Sequence, residues 1–129
     1  MPEGVEIRWT SKCLSTLFTG KKLLDLLEHS KQTIIQKELF KPSICISITS
    51  KGKVLFIEFE TFTIIFHFGL TGYLSVKPDY PHLRYSFQFE NQTLYYYDTR
   101  NFGHIGLMNT KHVLDYKMNE LGVDIDRKS

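Results

Sequence analysis

Cysteine is scarce in this chain of 129 residues: Cys13 and Cys45 are the only two. Neither belongs to a CxxC pair or stands beside a ladder of histidines, so their spacing gives neither a disulfide framework nor a zinc site. Both are expected to be buried thiols. Long apolar runs are missing too, since none approaches the ~18 residues of a membrane span. The start, Met1-Pro2-Glu3-Gly4-Val5-Glu6, is acidic where a secretory signal would be basic. The expectation is an intracellular, reducing location with no membrane partner, in which the Asn91-Gln92-Thr93 sequon arises by chance. An excess of charge is lacking as well: 16 Lys plus Arg against 14 Asp plus Glu give a net +2. The sequence pI of about 8.5 falls short of the pI above about 9 usual for a dedicated nucleic-acid module. Charge alone therefore permits such a partner without indicating one.

What is present is the composition of a folded domain, 42% hydrophobic, 14% aromatic and 23% charged. No biased tract or internal repeat interrupts it, and the length suffices to bury one core without metal or disulfide staples. From Glu3 to Phe18, the residues Ile7, Leu14, Leu17 and Phe18 fall on one helical stripe with Arg8, Ser11 and Lys12 elsewhere, and Gly20 follows as a stop. Beyond Lys21 come short stretches rich in Ile, Phe, Leu, Thr and Tyr, at 22–28, 43–49, 53–60, 62–68, 73–76, 84–89, 93–97 and 104–108. Turn-forming residues at 50–52, 69–72, 77–79 and 90–92 separate them. A second helix is expected over 111–121, capped by Asn109 or Thr110 and stopped by Gly122. The fold class that follows is mainly β with α: an antiparallel sandwich or barrel with an N-terminal helix and a second helix near the C-terminus. Residues 1–122 form the domain, and 123–129 are a polar tail.

Pro2 is the first residue with chemical potential. A small residue after Met1 favours removal of the initiator, which leaves a secondary amine. An α-amino group titrates near about 7.7–8, far below lysine, so a useful fraction is an unprotonated nucleophile at neutral pH. Its attack on an aldehyde-level sugar carbon gives an iminium, an electron sink that permits elimination of neighbouring phosphates. Glu3 stands beside it as a proton shuttle. Taken alone, the pair reads first as an ordinary first helical turn, where proline and an acidic residue are favoured anyway.

The longer string changes that balance. Met1-Pro2-Glu3-Gly4 followed by Glu6 resembles the start of the formamidopyrimidine-DNA glycosylase/endonuclease VIII family, in which the processed proline is the nucleophile. Lys51-Gly52-Lys53, leading into Val54 to Phe59, is similar to the motif whose last lysine lies in the active site and contacts phosphate. His67-Phe68-Gly69-Leu70-Thr71-Gly72 resembles the turn whose histidine binds a phosphate and whose second apolar residue enters the DNA stack. Asp98-Thr99-Arg100-Asn101-Phe102-Gly103 resembles the loop whose first arginine and phenylalanine fill the gap left by the flipped nucleotide. Leu121-Gly122-Val123-Asp124 is similar to the family's lead into its interdomain linker.

The resemblance implies a two-layer antiparallel β-sandwich with the first helix alongside. It also implies a bifunctional DNA glycosylase and abasic-site lyase that removes oxidised bases from damaged double-stranded DNA by β,δ-elimination. Pro2, Glu3 and Lys53 would be catalytic; His67, Leu70, Arg100 and Phe102 would bind DNA; Glu6 and Asn101 would support them. No cofactor and no metal are implied for this chain. A flipped base leaves a void whose filling offsets a few kcal/mol of unstacking, for which apolar wedges and an arginine are suited. Residue by residue, other readings stand: Lys53 at an edge strand, His67 as a satisfied histidine, Leu70 and Phe102 as core, and Arg100 paired with Asp98 on the surface.

The pattern also departs from the family. Val5 and Thr99 replace prolines, and Asn101 replaces a phosphate-binding arginine, which removes one charge from the salt-dependent backbone grip. No helix–two-turn–helix domain and no zinc finger or zincless equivalent fits in what remains. Either the sequence is truncated, or a separate protein supplies the missing DNA-binding half. The competing expectation is a non-catalytic remnant that serves as a DNA-binding or protein-interaction module.

Overall fold

A computed structural model of the chain describes residues 4–31, 33–78 and 81–120. Its first helix, α1 (Gly4–Phe18), lays Ile7, Ser11, Leu14 and Phe18 against the core. That stripe corrects the sequence expectation at two positions. Leu17 is 36% exposed, whereas Ser11 is 4% exposed. Positions 7, 11, 14 and 18 follow the helical period more closely than a stripe through 17 does. Ser11 tolerates burial because its hydroxyl donates to the Arg8 carbonyl at 2.8 Å. Cys13, expected to be buried, lies on the outer face and is exposed, while Cys45 is buried.

Eight strands follow: β1 (Lys22–Glu28), β2 (Ser43–Lys51), β3 (Val54–Phe59), β4 (Phe62–His67), β5 (Gly72–Ser75), β6 (Leu83–Phe89), β7 (Thr93–Asp98) and β8 (His104–Asn109). They form one sheet in the order β5-β7-β6-β1-β2-β3-β4-β8, with every neighbouring pair antiparallel. At its middle the β1–β2 ladder holds only Lys22↔Ile44 and Leu23↔Ser43. There the sheet folds over into two layers, β5-β7-β6-β1 and β2-β3-β4-β8. Rings from strands far apart in the sheet meet between them: Phe66 and Phe87 at 5.5 Å, Phe59 and Phe89 at 6.2 Å, Phe66 and Tyr96 at 6.3 Å. The sandwich core is thus aromatic, and burial of these rings is the main favourable term holding the layers together.

β1 and β2 break strict alternation for one shared reason. Leu23 and Leu26 of β1 are both buried, as are Cys45 and Ile48 of β2, although a spacing of three would put one of each pair outside. Register shifts between Leu23 and Asp25, and between Cys45 and Ser47, return the second residue to the core.

β3 and β4 are buried along nearly their whole length, because this layer is covered on its outer face too. A 3₁₀ turn, Thr110–His112, begins where the Asn109 side chain accepts the Lys111 N–H, and α2 (Val113–Glu120) continues from it. Val113 and Tyr116 pack on Val54, Phe56 and Ile65. Lys117 anchors α2 to the sheet, with Nζ 2.7 Å from Glu58 Oε2 and 4.9 Å from the Phe56 ring centre. The expected stop at Gly122 lies outside the described residues. One feature was not anticipated from the sequence. Ile35 runs parallel to Gly106, exchanging bonds with Ile105 O at 3.0 Å and Leu107 N at 2.8 Å. It covers the free edge of β8, which would otherwise be open to strand pairing.

Candidate functional site

Strand register assembles the site. Lys51 pairs with Val54 across the β2–β3 hairpin, Val54 with His67, and His67 with His104. The two-residue turn Gly52-Lys53, the turn 68–71 that crosses to β5 and the loop 99–103 that returns from β7 to β8 therefore emerge at one end of the sandwich. Gly72 pairs with Asp98, so the last two segments lie side by side. At this end Lys53 and Arg100 are exposed, Leu70 is 45% exposed and Phe102 is 64% exposed. Neither apolar residue is core. The start of α1 reaches the same region, where Glu6, Ile7 and Thr10 line a cavity of about 100 Å³ with Phe68, Gly72, Tyr73 and Leu74. Pro2 and Glu3, the expected nucleophile and proton shuttle, lie outside the described residues.

Asp98 organises the two loops. It is 0% exposed, and it is not the surface partner of Arg100. Its Oδ1 accepts from the Thr71 hydroxyl and from Asn101 N at 3.0 Å. Its Oδ2 accepts from Gly103 N at 2.8 Å and from the Tyr96 hydroxyl at 3.1 Å. A buried carboxylate is tolerable only with such a complement of donors. Burial, and then the neighbouring Asp98 charge, raises the Tyr96 phenol above its ordinary value of 10.0, so it stays a proton donor at neutral pH. Arg84 closes the outer side, donating to the carbonyls of Asp98 at 2.8 Å and Thr99 at 3.3 Å.

The glycines of both motifs are required by this packing. A Cβ on Gly72 or Gly103 would collide with the Tyr96 hydroxyl and the Phe68 carbonyl. Asn101 takes a left-handed φ of 57°, a conformation asparagine adopts more readily than most residues. Its Oδ1 is buried with no hydrogen-bond partner among the described residues.

His67 sits apart from Leu70 and Phe102, on the outer face of the second layer. Its Nε2 lies 2.6 Å from the Tyr116 hydroxyl of α2, and its ring stacks on His104 at 4.6 Å. The three line a cavity of about 200 Å³ with Ile35, Gln36 and Met108 among its walls. Among the described residues no group of His, Cys, Asp and Glu could hold a metal, and no helix is long and apolar enough to cross a membrane.

The sequence alone points to no role for Thr71, Arg84, Tyr96, His104 or Tyr116, and to Asp98 only as a surface partner of Arg100. Asp98 carried a usable signal, since an aspartate whose side chain binds the backbone N–H a few residues on is a familiar turn device. Thr71 and Tyr96 act through pairings that only the register reveals. Tyr116 depends on where α2 docks.

A family model of the formamidopyrimidine-DNA glycosylase N-terminal domain matches residues 1–105. The chain is 28% identical over 106 residues to the formamidopyrimidine-DNA glycosylase of Thermus thermophilus, covering 81% of this chain and 39% of that protein. It is 34% identical over 112 residues to that of Cellvibrio japonicus, covering 80% of this chain and 42% of that one. A structure of MutM in complex with carbocyclic 8-oxo-G containing DNA shares the fold at a TM-score of 0.80 and 26% identity, over 92% of this chain and 48% of that one. The complex between the Lactococcus lactis Fpg and an abasic site containing DNA also shares the fold, at a TM-score of 0.80 and 23% identity. The chain spans less than half the length of these relatives. With a match running from its first residue through the loop that carries Arg100 and Phe102, the chain belongs to the formamidopyrimidine-DNA glycosylase N-terminal domain family.

Proposed function

We propose that this chain is the catalytic half of a base-excision DNA glycosylase with abasic-site lyase chemistry. One observation carries the reading: Leu70, Arg100 and Phe102 are held exposed on two adjoining loops by a fully buried carboxylate, at the same end of the sandwich as Lys53. Large apolar side chains fixed in water on a rigid support suit an apolar partner such as the gap beside an extruded nucleotide. Leu70 and Phe102 enter the stack, Arg100 hydrogen-bonds the orphaned base, and Lys53 and His67 hold phosphates.

Once Met1 is removed, the Pro2 nitrogen attacks the sugar C1′, and the damaged base leaves with its bonding electrons. Glu3 assists proton transfer to the base and then to the ring oxygen, as the C1′–O4′ bond breaks and the sugar opens. The resulting iminium acidifies the C2′ hydrogen. Loss of that proton expels the 3′ phosphate, and a second elimination expels the 5′ phosphate, so the strand is cut on both sides. Glu6 supports the proline, and Asn101 supports the loop without the charge of an arginine.

Because the chain spans less than half the length of the relatives it matches, we assign the remaining grip on DNA to a further part of the same polypeptide or to a separate protein. A second, non-catalytic reading, as a DNA-binding or protein-interaction module, draws support from Asn101, which contributes no charge at the DNA-facing loop. Binding tests the first step. Fluorescence anisotropy at low salt should show preference for a duplex bearing an abasic analogue over the intact duplex. Equal affinity for both, or no binding at low salt, would contradict the proposal.

A further inference from the structure

We infer that Asp98 and Thr71 are positioning residues that fuse the 68–71 turn and the 99–103 loop into a single wedge, so that Leu70 and Phe102 enter DNA as one unit. This rests on the reading that both side chains fill the gap beside a flipped nucleotide. The two segments are distant in sequence and belong to different strand connections, so chain continuity does not fix their spacing. Hydrogen bonds do. The Thr71 hydroxyl donates to Asp98 Oδ1 and accepts the Arg100 N–H at 3.2 Å, bridging the two loops. Asp98 binds the second loop at Asn101 N and Gly103 N. The Tyr96 hydroxyl, packed against the two glycines, ties Oδ2 to β7. The backbones also touch, since a Cβ built on Gly69 would lie 3.0 Å from Gly103 N and 3.2 Å from Phe102 C.

Physical economy favours such a unit. Two independently mobile loops would each lose conformational entropy on entering the stack, whereas a preorganised pair loses it on folding. Asp98 is fully buried and the Thr71 hydroxyl is engaged by Asp98 and the Arg100 N–H, which leaves neither side-chain group for the base or the sugar. Their effect passes through the spacing of Leu70, Arg100 and Phe102.

The test is a double-mutant cycle on the full chain, read as affinity for an abasic-analogue duplex relative to the intact duplex. Leu70→Ala and Phe102→Ala should each weaken the preference about tenfold, and together by no more than about twofold beyond the worse single change, as coupled sites do. In a Thr71→Val background the same two changes should become independent and multiply to about a hundredfold. Valine keeps the shape, and Asp98 Oδ1 keeps the Asn101 N–H, so the fold is retained. Thr71→Ser restores the hydroxyl and should restore the coupling, which a generally loosened fold would not do. Independent effects in the wild-type background, or coupling that survives Thr71→Val, would overturn the inference alone. If neither alanine change alters the preference, the proposed function falls and the inference with it.

Discussion

Phe66 and Phe102 are the same residue type in opposite circumstances. Phe66 is completely buried, lies beside Phe68 and meets Phe87 and Tyr96 across the layers; Phe102 stands mostly in water on a loop held by hydrogen bonds. Apolar surface between the layers is used by folding. At the loop end it is withheld from folding, and a buried carboxylate with its donors replaces hydrophobic packing as what keeps the backbone in place. The difference separates residues that make the domain from residues that the domain presents.

Substitution should break this symmetry of type most sharply. Phe66→Ala should cost about 3–5 kcal/mol in chemical denaturation, as expected for a large core ring, while Phe102→Ala stays within about 0.5 kcal/mol of the wild type. Comparable losses at both positions would mean that Phe102 packs into the fold. High pH attacks the core from another side. Burial pushes the Cys45 thiol from 9.0 up to about 12, and it likewise raises the Tyr85 and Tyr96 phenols above 10.0. These groups are held neutral in the folded chain but ionise more readily when unfolded. Their stabilising effect is complete below pH 9 and declines as pH rises toward about 12. A denaturation midpoint that is flat from pH 8 to 11 would contradict this burial.

Smaller effects sharpen the loop end. Arg100→Ala should lower the slope of log affinity against log salt by no more than about 0.9, the value of one lost phosphate contact, and should lower abasic preference more than affinity for intact duplex. A loss shared equally by both duplexes would make Arg100 a phosphate anchor instead. The smallest effect concerns the thiols. Cys13→Ser should shift stability by less than about 0.5 kcal/mol while abolishing rapid labelling by a thiol reagent at neutral pH, because Cys45 is buried.

Much of the fold was legible because its signals are local. Each strand was expected within a few residues of where it lies, since aromatic and β-branched runs alternate with turn residues, and Asn109 caps the 3₁₀ turn that leads into α2. The errors have physical causes. Helical period, more than hydrophobicity, decides which face of α1 is buried, so Ser11 faces the core while Leu17 and Cys13 lie on the outer face. The Ile35 strap could not be read because a single parallel bridge leaves no sequence pattern. Lys53, Leu70, Arg100 and Phe102, which the motif resemblance names, are brought to one end by the strand register. The resemblance includes Asp98 but gives it no role, and the expected surface pairing with Arg100 fails because Asp98 lies buried at the centre of the loop pair. The surroundings of His67, with Tyr116 and His104 against its ring, depend on where α2 docks and on the β4–β8 register, neither of which leaves a local signal.

Borohydride trapping bears most directly on the proposed chemistry. The protein, with Met1 removed, is incubated with an oligonucleotide duplex carrying an abasic site and then reduced. A covalent adduct is expected, weakened by Pro2→Gly and absent when the N-terminus is blocked. No adduct at high protein and low salt, or an adduct indifferent to blocking the terminal amine, would contradict a proline nucleophile and leave the non-catalytic reading in its place.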